Sequence, residues 1–343
     1  MWSTLLADLD NRKNLSADNA QWAMREILEG RASADEIKGF LLGLKGKGES
    51  AAEVSALVDE MYRHSAPISI SKRAVDTVGT GGDGQHTINI STTAAIIAAA
   101  AGAVVVKHGN RAASSKSGAA DLLEALGVAI NLNGEQVAQS VDELGIGFCC
   151  APMFHPAMRH AAPARKELGV PTVFNILGPL ANPAKPAAAA IGVANKAMHQ
   201  LMAQVLVDRG VDGFVFRGDD GLDEITLATS TDVLVLNKGQ ITQISVKPED
   251  FGIARAPISA IVGGDAAENA AITRAIFNGE KGAPRDAVVL NAGVAIAAFR
   301  GDTSLSPHER IYVGVRSAVI AIDTGAANQL LERWVRLTQK LTS

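Results

Sequence analysis

The sequence predicts an α/β protein: a small N-terminal helical domain over residues 1–66, then a larger α/β domain over 72–343 with a central, mostly parallel sheet. Three observations carry this expectation. The first 66 residues show apolar positions at helical spacing and no strand pattern. From Ala74 onward, short β-branched runs alternate with Ala- and Leu-rich helical stretches, the pattern of strands joined by crossover helices. At 343 residues the chain is long for a single core, so two packed domains are the first expectation.

In chain order, Ser16-Ala-Asp-Asn19 opens a helix with capping chemistry, and Ser33-Ala-Asp-Glu36 has the spacing of a capping box. Apolar periodicity marks helices over 20–28, 37–44 and 54–61. Residues 64–71, with Pro67 and alternating Ile68 and Ile70, read as an extended connector. Strand-like runs follow at 104–106, 211–216, 233–236 and 241–246. The stretch 157–186 carries Pro163, Pro171, Pro179, Pro183 and Pro186, which suits short helices and hinges. The segment 160–187 is therefore expected to return to the helical domain. From about Asp265 the tail reads as helices, and no internal repeat or low-complexity tract is seen.

Composition removes several function classes. Hydrophobic residues make up 47% and charged residues 20%, which is enough for a core, and a 4% aromatic content means that core is aliphatic. A formal net charge of -4 argues against a nucleic-acid binder, which needs clustered positive charge. The two cysteines, Cys149 and Cys150, are adjacent and unsuited to a structural disulfide, so a reducing interior is expected. Residues 1–14 lack a basic start followed by an apolar stretch, and the apolar run 94–106 is too short to span a bilayer. These features together point to the cytoplasm and away from membranes.

The strongest chemical signal is Asp76-Thr-Val-Gly-Thr-Gly-Gly-Asp-Gly84. Glycines this dense after a strand let backbone N–H groups converge on an anion. The same residues match GxGxxG, but a dinucleotide site needs a helix opening at the loop and an acid about twenty residues on. Here the helix is expected near Ser91, and no acid stands between Asp83 and Asp121. Asn89-Ile-Ser-Thr92 precedes an apolar helix: Ser91 or Thr92 is either a plain N-cap or part of a phosphate site at the helix N-terminus. One strand later, Lys107-His-Gly-Asn-Arg-Ala-Ala-Ser-Ser115 puts cations, glycine and hydroxyls at a strand end, where ligands gather in open α/β sheets, unless it is only a solvated basic loop.

Asp219-Asp-Gly-Leu-Asp-Glu224 is either an acidic surface turn or, through adjacent Asp223 and Glu224, a source of hard oxygen ligands for magnesium. Its spacing lacks the twelve-residue calcium-loop series. In His155-Pro-Ala-Met-Arg-His-Ala-Ala-Pro-Ala-Arg165, Pro163 can start a new helix whose first turn then holds Arg165. A cation there is not favoured by the helix dipole, so Arg165 is expected to face a carboxylate or phosphate, of a ligand or of the protein itself.

Taken together, these residues resemble a known family. Gly79-Thr-Gly-Gly-Asp83, Asn89-Ile-Ser-Thr92, Lys107-His-Gly-Asn110, the 155–165 stretch, Asn175-Ile-Leu-Gly-Pro-Leu-Ala-Asn-Pro183 and Asp223-Glu224 resemble anthranilate phosphoribosyltransferase, in order and spacing along nearly the whole chain. The resemblance implies a nucleoside phosphorylase/phosphoribosyltransferase-like fold, a homodimer joined through the helical domains, and an active site between the two domains. It implies transfer of phosphoribosyl from phosphoribosyl pyrophosphate to the amino group of anthranilate in tryptophan biosynthesis. Carried onto this sequence, it implies donor contacts from Gly79, Gly82, Asp83, Thr87, Asn89, Ile90, Ser91, Thr92, Lys107, His108, Gly109, Asn110, Arg111, Ala112, Ala113, Ser114, Ser115 and, less centrally, Ala119. Anthranilate would meet Gly79, Asn110 and Arg165, with His155 and Gly178 lining its path. Ser91, Asp223 and Glu224 would hold two Mg2+ ions with the pyrophosphate. Met158 stands where some relatives carry an aromatic ring, which bears on the shape of the acceptor channel.

An aromatic amine is neutral at pH 7, so no dedicated base is required, and none stands out in the sequence. Positioning and charge neutralisation would carry the reaction. Two other readings remain open on sequence grounds: a pyrimidine nucleoside phosphorylase, which would need neither Asp223-Glu224 nor Arg165, and a non-catalytic nucleic-acid-binding relative.

Overall fold

The computed structural model describes residues 1–112 and 116–342. Four helices come first: α1 (Trp2–Asp10), α2 (Ala17–Leu28), α3 (Ala34–Lys47) and α4 (Ala51–Arg63). The Ser16 hydroxyl accepts from Asn19 N, and Ser33 and Ser50 each form a full capping box with the Glu three residues on. Helix α1 was not legible in the sequence because it has no side-chain cap; it is held by packing on α3. Buried Glu53 ties the unit together, accepting from Leu15 N, Ser50 N and Lys47 Nζ.

The rest of the chain builds one seven-stranded sheet in the order β3-β2-β1-β4-β5-β6-β7. Its first half runs β1 (Val75–Gly79), α5 (Ile90–Ala100), β2 (Val105–Gly109), α6 (Ala119–Leu126), α7 (Gly134–Leu144) and β3 (Ile146–Cys150). Short helices α8 (Ala151–Phe154), α9 (Ala162–Leu168) and α10 (Phe174–Leu180) then cross to β4 (Ala188–Gly192), which pairs on the other side of β1. There α9 packs on α3, and α10 packs on α4. After α11 (Lys196–Asp208) and β5 (Asp212–Gly218), the hairpin strands β6 (Thr231–Asn237) and β7 (Gln240–Val246) run antiparallel, while β1 to β5 are parallel. Helices α12 (Ala266–Phe277), α13 (Ala283–Arg300), α14 (Pro307–Asp323) and α15 (Ala326–Thr342) complete the chain.

Alternation along the strands divides the core. Ala188, Ala190, Phe214, Phe216, Val233 and Val235 face α5 and the C-terminal helices, whereas Ala189, Ile191, Val215, Leu234 and Leu236 face α11 and the N-terminal helices. Both faces of the sheet are covered, as parallel sheets require. β4 is Ala-Ala-Ala-Ile-Gly, which sequence reading did not recognise as a strand. Alanine is a weak strand former. Here all five residues are buried between β1 and β5, and their small side chains suit close cover on both faces. Cys149 and Cys150 end β3 as buried free thiols. No helix among the described residues is long and apolar enough to cross a membrane.

Candidate active site at the strand ends

The chain leaves β1 toward β2 on one side, and β4 pairs on the other. Between them is a switch point, where open α/β sheets bind ligands at the carboxyl ends of their strands. Gly79 ends β1 directly beside Gly192 at the end of β4. The loop after β1 uses Gly81, Gly82 and Gly84 at φ of +70°, +85° and +72°, where a side chain would be strained. Nothing lies within 4 Å of where a Cβ would stand at these three positions, so that side of the loop borders open space.

The acidic pair sits against this loop. Asp223 and Glu224 are 8% and 7% exposed, so they do not form the acidic surface turn that was one reading of the sequence. Gly81 N donates to Asp223 Oδ2 at 2.6 Å, and Ser91 N donates to Glu224 Oε1 at 3.1 Å. Helix α5 starts at Ile90 with Asn89 at the cap position, so Ser91 and Thr92 lie inside its first turn and neither is the N-cap. The Asn89 side chain is engaged elsewhere, donating to Ser117 O and accepting from Ser117 Oγ and Asn269 Nδ2. Burial pushes Asp223 up to about 7, reinforced by the neighbouring Asp83 carboxylate. Glu224 is raised well above the usual range by burial and by Asp223. Gly192 has a strict reason to be glycine, since a Cβ there would overlap the Asp223 carbonyl.

The cation facing these acids is Lys107, itself 2% exposed. Its Nζ donates to Thr77 O at 2.5 Å and to Ser91 Oγ at 3.3 Å. Burial lowers its pKa, while the charges of Asp76, Glu224 and Asp223 oppose that fall. Two hard carboxylates in a dry site with one ammonium nearby leave negative charge that suits a divalent oxygen-seeking cation. No cluster of three or more His, Cys, Asp or Glu side chains poised for a metal occurs among the described residues. Substrate oxygens and water would therefore complete any shell, as magnesium prefers.

The remaining predicted residues fall into three groups. Beside the acids, Asp83 accepts from Gln85 N and faces Asp223, Gly82 borders the open loop, Ile90 and Thr92 are buried in α5, and Thr87 bridges to Val262. After β2, Asn110 accepts from Ala120 N through its carbonyl and from Arg111 N through its side chain, and Gly109 packs near Ala119. Arg111 pairs with Asp121 and Glu124, and Asp121 also accepts from Ala112 N and Gly118 N. Ala113, Ser114 and Ser115 lie outside the described residues.

The third group lies along α10. His108 Nδ1 faces Gly178 O at 2.9 Å and His155 Nε2 faces Ala181 O at 2.9 Å; a carbonyl only accepts, so each of these nitrogens carries the proton. The two rings meet edge to face at 5.1 Å. Burial lowers both imidazoles, His108 to about 3, so both are neutral at physiological pH. Arg165 is the fourth residue of α9, with its guanidinium 5.6 Å from the centre of the Phe174 ring of α10. No carboxylate among the described residues pairs with it, and burial lowers its pKa. The alternative of a structural acid partner for Arg165 is thus not realised. Met158 packs half-buried among the apolar residues of the N-terminal helices. The Gly81 amide and Gly192 were missed by sequence reading; the first carried a signal in its glycine-rich loop, the second none.

The chain matches the α/β domain of a glycosyl transferase family over residues 71–328 and that family's helical bundle domain over 3–65. It is 50% identical over 342 residues to the anthranilate phosphoribosyltransferase of Rhodococcus jostii, covering 100% of this chain and 94% of that one. Among solved structures it resembles the anthranilate phosphoribosyltransferase of Thermus thermophilus, with a TM-score of 0.91 and 41% identity over 98% of this chain and 99% of the other. It also resembles the Saccharomyces cerevisiae enzyme in complex with PRPP and Mg, with a TM-score of 0.87 and 27% identity over 98% of both chains. With a buried acid pair set between the loop after β1 and the first turn of α5, and similarity along its whole length, this chain belongs to the anthranilate phosphoribosyltransferase family.

Proposed function

We propose that this enzyme transfers the phosphoribosyl group of phosphoribosyl pyrophosphate to the amino group of anthranilate, giving N-(5-phosphoribosyl)anthranilate and pyrophosphate for tryptophan biosynthesis. The observation that carries the reading is the bridging of two anion-binding loops by one acid pair: Gly81 N to Asp223 and Ser91 N to Glu224. A pyrimidine nucleoside phosphorylase has no use for such a pair, nor for an Arg165 free of protein carboxylates.

The donor's phosphates would meet the 79–84 loop, the first turn of α5 and the loop that begins at Lys107. Displacement at the ribose C1 builds positive charge on the sugar and negative charge on the departing pyrophosphate. Mg2+, held with the donor by Ser91, Asp223 and Glu224 and read here as two ions, would neutralise the leaving group. Lys107 adds a fixed positive charge beside it, and the loop amides supply preorganised dipoles. Asn110, Gly79 and Arg165 would orient the anthranilate, Arg165 through its carboxylate, with His155 and Gly178 along its path. Neutral His108 and His155 add no charge that would compete with Arg165 for that carboxylate. Residues 1–66 with 160–187 would form one body and the rest of 72–343 the other, so that closure excludes water from a hydrolysable donor.

We read the enzyme as a cytoplasmic homodimer associating through the helical unit, whose α3 exposes Leu42 at 46%. The decisive experiment mixes the protein with phosphoribosyl pyrophosphate, Mg2+ and anthranilate and follows the loss of anthranilate fluorescence. An unchanged signal, with phosphorolysis of a pyrimidine nucleoside instead, would replace this reading by the phosphorylase.

A further inference from the structure

Sequence reading left Asp76 and Asn182 out of the site; Asp76 holds the backbone of His108 at the root of the loop after β2, and Asn182 lies just past α10. Both are almost fully buried, at 2% and 3% exposure, and they meet at the base of the wall formed by α10. Asn182 Nδ2 donates to Asp76 Oδ2 at 2.8 Å and to Val106 O at 2.8 Å, while Asn182 Oδ1 accepts from Ala184 N at 3.0 Å. Asp76 Oδ1 accepts from His108 N at 3.3 Å. One amide side chain thus joins the chain just past α10 to both β1 and β2, with every hydrogen-bonding group of its side chain used.

What this joint holds in place is the end of α10. The last carbonyls of a helix lack partners within it. Here Gly178 O meets His108 Nδ1, Leu180 O accepts from Tyr62 Oη, and Ala181 O meets His155 Nε2. Three elements are thereby aimed at one short segment, and Asn182 is the next residue along it. A shift of that segment would release His108 from the carbonyl that fixes its protonation and ring orientation, and would take Ala181 O from His155 while leaving the Met61 backbone beside it. His108 would be doubly affected, because its backbone N–H is held by Asp76 and its ring by Gly178. Its Nε2 has no hydrogen-bond partner among the described residues, so the Gly178 carbonyl is the ring's one hydrogen bond there, beside its edge-to-face contact with His155.

We propose that Asp76 and Asn182 are positioning residues for the acceptor pocket: their hydrogen bond seats the end of α10, and through Gly178 and Ala181 it sets His108 and His155 as the pocket's wall. This rests on the reading that anthranilate binds between α10 and the loop after β2. The pair acts through other residues and touches neither substrate.

Asn182→Ala removes both tethers, and Asp76→Asn keeps the volume but leaves one acceptor oxygen for two donors. Each is expected to raise KM for anthranilate roughly ten- to hundredfold, since small misplacements of positioning groups have effects of that size. For Asn182→Ala, calorimetric titration with phosphoribosyl pyrophosphate and Mg2+ should give a donor Kd within about twofold of wild type, and kcat at saturating anthranilate should also change by less than about threefold. Asp76→Asn also removes a charge that supports the Lys107 ammonium, so it is judged on anthranilate KM and on the histidine tautomers. A spectroscopic readout is independent of turnover: 15N-histidine spectra, assigned with His108→Asn and His155→Asn, should show one Nδ1–H and one Nε2–H tautomer in wild type and mixed tautomers in Asp76→Asn. Should Asn182→Ala fail to fold, the isosteric Asp76→Asn carries the test. Parallel losses in donor affinity and anthranilate KM, or an unchanged KM with unchanged tautomers, would overturn the inference. Wild-type protein inactive toward anthranilate would instead overturn the functional reading, while the tautomer result would still stand or fall alone.

Discussion

Replacing Asp223 by Asn takes one negative charge out of a dry site that also holds Glu224 and faces Asp83. The wild-type carboxyl is pushed from 3.8 to about 7, first by burial and then by Asp83. In the unfolded chain the same group titrates near its ordinary value. Between those two pH values the folded state therefore binds the additional proton, and the stability of the metal-free protein falls as pH rises. At roughly 1.4 kcal/mol per pH unit, keeping Asp223 ionised above neutrality costs the fold about 4 kcal/mol. Asn still offers an oxygen to Gly81 N, but a neutral acceptor gives up about 1–2 kcal/mol of that 2.6 Å bond. The net gain is about 2 kcal/mol, or roughly 3 °C in Tm for a chain of this size. Calorimetry at pH 8 in a chelating buffer should show the variant melting above wild type, with the difference vanishing toward pH 4. Mg2+ with phosphoribosyl pyrophosphate should raise Tm in wild type and much less in Asp223→Asn, which should also have lost turnover. A variant less stable than wild type at pH 8, or a difference independent of pH, would refute the account of a destabilising buried acid pair.

Arg165→Ala should raise KM for anthranilate by roughly thirty- to hundredfold, the size of one charged carboxylate contact. Its donor Kd, measured by calorimetry, should be unchanged; equal losses for both substrates would remove Arg165 from the acceptor site. Leu42→Asp places a charge on the exposed face of α3 and should convert dimers to monomers in light scattering. A wild-type protein that runs as a monomer, or a variant that stays dimeric, would place the contact elsewhere.

Much of the fold was legible because its signals are local. Capping boxes at Ser33 and the glycine-rich turn after β1 are written within a few residues. The acids Asp223 and Glu224 could be singled out, yet their partners could not: Gly81 lies 142 residues away and Ser91 lies 133 residues from Glu224. A turn sequence does not reveal whether it is solvated or folded under two loops. β4 was invisible for a related reason, because alanines become a strand only when β1 and β5 supply the pairing. Asn182 belongs to a motif read for its prolines and glycine, while its function is the tie to Asp76 across 106 residues. The end of α5 shows the opposite failure, where Ser91 had the chemistry of a cap and Asn89 occupied the position.

The acid pair also explains why cation and donor should bind together. The amides of Gly81 and Ser91 are the groups proposed to meet the donor's phosphates, and each donates to one of the protein's own carboxylates. A pyrophosphate arriving alone would meet N–H groups already bound, beside two carboxyls whose ionisation burial opposes. A divalent cation changes both terms. Asp223 and Glu224 would be the residues to hold it, which would leave both N–H groups to phosphate oxygens, and its two positive charges would neutralise the pair. Lys107 alone cannot make that exchange, because its ammonium is already bound to Thr77 O and Ser91 Oγ. On the proposed reading the site therefore favours the magnesium-bound donor over either component, using groups that the structure shows bound to one another.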